Sequence, residues 1–180
     1  MRLTMILVVA AALAAPVAAL ADAAPTPAST ANQICKLAKT QMGTLFATTY
    51  GTNTAKSNAF GQCVKKNTAA AQQDVTNAAK TCKAQQADAN FATSHGGKTF
   101  NQFYGDSTSK GKGSSANAYG KCVSLAVNAA AGAQAASLSS AAKTCKAARK
   151  ASTADFATKW GTASLAFGKC VSATAKATTK

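Results

Sequence analysis

Six cysteines are the residues of this 180-residue chain best able to form covalent bonds, and their spacing limits what they can do. Cys35, Cys63, Cys82, Cys122, Cys145 and Cys170 lie at least 19 residues apart. The short paired spacing of a zinc site and the CxxC of a redox centre are both missing. Cross-linking is the chemistry that remains. Acid and base groups are scarce: the chain has no glutamate, and His95 is the only histidine. A general acid–base pair is therefore short of material. Gly105 to Gly113 reads GDSTSKGKG, but the second glycine comes one residue late for a phosphate-binding loop, and Gly113 stands where Ser or Thr should follow the lysine. Ser140 and Lys143 form an SxxK without the SDN and KTG strings of that serine-enzyme class. The expectation is a chain with no catalytic centre, no cofactor and no metal.

Residues 1–23 set the compartment. Arg2 supplies a basic start, Met5 to Ala21 is a nearly unbroken apolar run, and Ala19, Ala21 and Ala23 provide small residues for cleavage after Ala21 or Ala23. This reads as a secretory signal peptide, leaving no transmembrane anchor. An even number of cysteines in an exported chain then predicts a disulfide framework. The framework has work to do, because Leu, Ile, Val and Phe together number only 18 of the 157 residues after Ala23. Each such side chain contributes about 1.5 to 3 kcal/mol when fully buried, so a core of them is marginal alone.

Positioning of the cysteines follows a repeated string. NAFGQCV at 58–64 returns as NAYGKCV at 117–123 and LAFGKCV at 165–171. Each unit opens on ICKLAKT, TCKAQQA or TCKAARK and continues through FATTYG, FATSHG or FATKWG. His95 holds the slot of Tyr50 and Trp160 in the sister units, which predicts a packed flat ring rather than a base. No proline follows Pro27, so the units are read as helical. Val64, Thr68, Ala71, Val75, Ala78 and Cys82 fall on one helix face, and Val127, Ala131, Leu138, Ala141 and Cys145 do likewise. Gly51, Gly96 and Gly161 mark helix ends, and Ser152 with Asp155 marks a restart.

The predicted fold is all-α: a disulfide-stapled array of three helical-hairpin repeats joined by longer helices. Its divisions are a linker at 24–33, repeat 1 at 34–80, repeat 2 at 81–143 with a basic Gly/Ser-rich insertion at 97–115, and repeat 3 at 144–180. A helix from Cys63 to Cys82 separates those sulfurs by about 28 Å, and one from Cys122 to Cys145 by about 34 Å. Removing both pairs from the fifteen possible connectivities leaves ten. Of these, only the pairing inside each unit would be carried along by a duplicating repeat: Cys35–Cys63, Cys82–Cys122 and Cys145–Cys170.

Charge is the remaining signal. After Ala23 the chain carries 18 lysines and Arg149 against four aspartates. Base-reading sites favour the arginine fork, whereas lysine attracts phosphate as a point charge. Sequence-specific nucleic-acid recognition is therefore not expected, and nonspecific attraction to a polyanion or an anionic cell-envelope surface is. Lys98, Lys110 and Lys112 in the insertion are the expected contacts. The CK starts and aromatic-Gly-x-Cys-Val strings over residues 34–171 resemble Ala- and Lys-rich exported bacterial proteins of unknown function, a resemblance that implies a bacterial, secreted, repeated protein and no particular activity. Two other readings compete: a structural or protein-interaction module whose charge confers solubility, and a cell-envelope hydrolase.

Overall fold

The computed structural model describes residues 24–105, 117–163 and 165–178. The signal-peptide reading falls outside them. Among the described residues all regular structure is helical: α1 (Pro27–Met42), α2 (Thr44–Tyr50), α3 (Ala59–Ala87), α4 (Phe91–Ser94), α5 (Phe100–Tyr104), α6 (Ala118–Ala151), α7 (Thr153–Trp160) and α8 (Ala166–Thr178). At 1.5 Å per residue, α3 runs about 43 Å and α6 about 51 Å. No described helix is long and apolar enough to cross a membrane.

Residues 27–33 were expected to belong to a linker, but they form the first two turns of α1. The cause is local. Thr26 Oγ1 accepts the Ser29 N–H at 3.1 Å and the Thr26 N–H donates to Ser29 Oγ at 2.9 Å, while Pro27 occupies the first helical position, where no N–H is needed. Thr30 and Ala31 are buried in consequence. The divisions at 80/81 and 143/144 fall inside α3 and α6, so the sequence units share these helices instead of meeting at linkers.

The bridges are Cys35–Cys63, Cys82–Cys122 and Cys145–Cys170, with Cα–Cα separations of 5.9, 5.9 and 6.0 Å. They tie α1 to α3, α3 to α6, and α6 to α8. Two cores form along these helices. The larger one gathers Ile34, Met42, Phe46, Tyr50, Leu138, Phe156, Phe167 and Val171 among many alanines. The smaller gathers Phe91, Phe100, Val123 and Val127 around the Cys82–Cys122 bridge. The N-terminal half of α3 and the C-terminal half of α6 line the first core, and their opposite halves line the second, so the two long helices are antiparallel. This puts the first and third bridges in one core and the second bridge in the other, whereas stacking in chain order would separate the first from the third.

The α6 face is as read, but the α3 face differs in its first turns. Asn67 is buried and Thr68 exposed. Asn67 Nδ2 donates to the Cys63 carbonyl at 2.9 Å and lies 3.5 Å from Cys63 Sγ and 3.9 Å from Cys35 Sγ, so the bridge draws the amide inward. Thr174 plays the corresponding part at the third bridge, its Oγ1 3.7 Å from Cys145 Sγ. Both residues stand four after the second cysteine of their pair, one helical turn away. Helix α2 packs against α8 so closely that a Cβ at Gly168 would collide with the Thr49 carbonyl oxygen. At Gly61 and Gly120, the matching glycines of the other units, a Cβ would meet nothing within 4 Å.

Peptide mapping without reduction is expected to recover the three bridged pairs, and a peptide linking Cys63 to Cys82 would contradict both the bridges and a continuous α3. Replacing Cys82 and Cys122 together by alanine removes closure of a loop with a sequence separation of 40, worth about 4 kcal/mol in the chain-entropy account. Amide exchange should then accelerate first in α4, α5 and the start of α6, with α1 and α8 still protected. Equal acceleration throughout would show that the smaller core has no independent stability.

Candidate functional site

Of the three insertion lysines, Lys98 is exposed and immediately precedes Thr99, the N-cap of α5. Lys110 and Lys112 lie outside the described residues. Fifteen lysines are described, and all but Lys56 and Lys121 are exposed. Lys143, Lys146 and Lys150 follow the i, i+3, i+7 spacing of one α6 stripe. Lys150 and Arg149 sit in the last turn, where cations also favour the helix dipole. The Arg149 guanidinium lies 5.1 Å from the centre of the Phe167 ring, which binds the end of α6 to α8. The TCKAARK string with the lysine just before it contains this stripe, and the spacing of those lysines was the available signal for it.

A second cationic group needs the fold to exist. Lys66 of α3 and Lys169 and Lys176 of α8 border an open groove of about 480 Å³, floored by Leu165, Gly168 and Ala173. The Lys66 ammonium stands 5.9 Å from the Tyr50 ring centre and 3.9 Å from where a Gly168 Cβ would be. More than 100 residues separate Lys66 from Lys169, and only the pairing of the first and third units joins them. Burial pushes the Tyr50 hydroxyl above its ordinary pKa, and a hydrogen bond with Asn67 offsets part of this.

His95 caps α4 and stacks on Phe91, with ring centres 3.7 Å apart and planes 6° from parallel. Its Nδ1 lies 2.8 Å from the Phe91 carbonyl oxygen. Ser94 Oγ lies 2.9 Å from the same nitrogen. Phe103 meets the imidazole edge-on at 4.7 Å. Phe91 and His95 are four residues apart, as Phe46 and Tyr50 are, and the latter pair also touches, at 5.0 Å. The imidazole is thus a packed ring within an aromatic cluster completed by Phe100 and Tyr104.

Among the described residues, no three His, Cys, Asp or Glu side chains come together to hold a metal ion. One carboxylate is unusually placed. Asp74 lies on α3 between Ala71 of the larger core and Ala78 of the smaller, and its Oδ2 is buried without a hydrogen-bond partner. Burial raises its pKa above the ordinary aspartate value. No family model matches the chain, and no curated protein or solved structure matches it either.

Replacement of His95 by Tyr should keep thermal stability within about 1 kcal/mol of the parent, a volume-tolerant aromatic exchange; loss of some measured activity with the fold intact would make His95 more than a packing ring. For Asp74 the direction follows from linkage. The folded carboxyl holds its proton more tightly than the unfolded one, so its stabilising contribution is complete below the ordinary aspartate pKa and is lost as pH rises through the raised value. Asp74→Asn should therefore gain in melting temperature relative to the parent at pH 7 and lose that advantage at pH 3. An advantage independent of pH would remove the carboxylate's charge from the explanation.

Proposed function

We propose that this is a secreted, non-enzymatic protein whose lysines hold it to polyanions or to an anionic cell-envelope surface without sequence preference. The observation that carries the reading is the exposure of thirteen lysines, against only three described aspartates. Lysine ammonium groups presented to solvent on a rigid helical frame attract phosphate, sulfate or carboxylate polymers as point charges, with no fork to select a base edge. The frame supplies two kinds of contact: the α6 stripe of Lys143, Lys146 and Lys150, and the end of the molecule that carries Lys98. Three disulfides suit an oxidising compartment, which is where such surfaces are met.

Binding of this kind releases condensed counterions. About five lysine contacts to a duplex should cost between two and three decades of affinity from 50 to 200 mM salt. The protein is expected to be retained on a heparin or duplex-DNA column at 50 mM salt and released as salt rises. Changing Lys143, Lys146 and Lys150 together to Gln should lower the elution salt with helix content intact, and changing Lys98, Lys110 and Lys112 together to Gln should do so independently, whereas deletion of the whole insertion would also remove α5 and its buried Phe100. Passage through either column at 50 mM salt without retention would assign the charge to solubility and favour a structural or protein-binding module.

A further inference from the structure

The groove between α3 and α8 differs from the rest of the lysine surface because its floor is apolar. Leu165, just ahead of α8, is 38% exposed, and Gly168 and Ala173 continue the floor along the helix. Residues 165, 168, 169, 172, 173 and 176 follow one another in steps of three and four or of one, so they form a single stripe about 16 Å long. A bare polyanion would gain nothing from a leucine there, and an uncharged hydrocarbon would gain nothing from the lysines. A molecule bearing an anionic head and an alkyl chain would use both.

The chain's own packing shapes the groove for such a molecule. Gly168 is required by the close approach of the Thr49 carbonyl on α2, which brings α8 near enough for the Lys66 ammonium to border the groove. That ammonium is steadied over the Tyr50 ring, and Tyr50 is itself buried. Among the described residues that line the groove none is a carboxylate, and Ser172 adds a hydroxyl between Lys169 and Lys176. A volume of about 480 Å³ lies within the usual range of small-molecule sites.

We infer that the α3/α8 groove binds a single-chain anionic lipid, its headgroup held by Lys66 and Lys169 and its alkyl chain laid along Leu165, Gly168 and Ala173. The site is separate from the polyanion contacts proposed above, and either can fail without the other.

The test uses the full mature chain and monomeric dodecyl phosphate below its micelle concentration, followed by calorimetry and amide chemical shifts. One saturable site is expected, with shifts centred on α8 and the start of α3. Inorganic phosphate, which has the charge alone, and dodecyl maltoside, which has the chain alone, should each bind at least tenfold more weakly. The double variant Lys66→Gln/Lys169→Gln should lose at least tenfold in affinity. Ala173→Phe, which fills the groove without changing charge, should do the same while heparin retention stays as in the parent. Circular dichroism checks both folds. Inorganic phosphate binding as well as dodecyl phosphate would overturn the apolar half of the inference. Dodecyl phosphate affinity unchanged in Ala173→Phe would overturn the groove itself. Binding to phosphatidylglycerol vesicles without binding of the monomer would assign lipid attraction to the lysine surface at large and overturn it as well.

Discussion

Alanine faces set the problem that the rest of the structure answers. An alanine-rich helix forms readily, since alanine has the highest intrinsic helix propensity, yet each alanine brings little area to bury. The larger core contains only eight side chains of valine size or above among its fully enclosed members besides the bridged cysteines, spread over α1, α2, α6, α7 and α8. Helices that touch mainly through methyl groups approach closely but hold weakly. The bridges work on the other side of the balance by restricting the unfolded chain, and all three bind consecutive long helices with Cα atoms about 6 Å apart. Small side chains make that separation possible and the sulfur bonds make it persist.

The cysteine spacing and the repeat together placed the bridges: the two intervening helices keep their ends apart, which leaves ten pairings, and only the pairing inside each unit would travel with a duplicating repeat. Helix type and the continuity of α3 and α6 were also legible, since nothing in 59–87 or 118–151 breaks a helix except isolated glycines in α6 and the first turn of α3. Three features were not. The start of α1 was missed because its capping signal, Thr26-Pro27-Ala28-Ser29, lies ahead of the repeated string that organised the reading. The exchange of Thr68 for Asn67 on the α3 face depends on a hydrogen-bonding amide following its bridge inward, which periodicity of apolar residues does not register. The groove of Lys66, Lys169 and Leu165 depends on which units pack together, and a repeat alone says only that units are alike, not which of them become neighbours.

That choice of neighbours makes the molecule unequal along its length. Where the first and third bridges lie, α1 and α8 cover the long helices and one core includes Ile34, Leu138 and Phe167. At the other end the cover is two short helices, α4 and α5, held by packed rings and by the Tyr104 hydroxyl, which donates to Gln85 Oε1 at 3.0 Å, while Tyr119 of α6 donates to the Ala79 carbonyl of α3 at 3.1 Å. Phe103 is 46% exposed there and Leu125 54%. Local opening is easiest where buried apolar contacts are fewest. The insertion begins at this thinner end and itself supplies α5, whose Phe100 is buried in the smaller core.

Charge and cross-links are then two parts of one design. Lysines spread over every long helix repel one another, and a net charge of +15 lowers the stability of any compact form of the chain. A core of alanines has little reserve against that repulsion. Three covalent closures supply the reserve without adding apolar surface, which leaves the exterior available to carry ammonium groups in place of larger buried faces. The same closures fix the lysines relative to one another: the Cys145–Cys170 bridge holds α8 against α6, where Arg149 rests on Phe167, and the Cys35–Cys63 bridge holds α3 beneath Lys66. A flexible chain of this composition would also attract anions, but it would lose conformational entropy on each contact. Rigid presentation removes that cost, so under the proposed polyanion reading the bridges that let so cationic a chain fold would also make its charge effective as a surface.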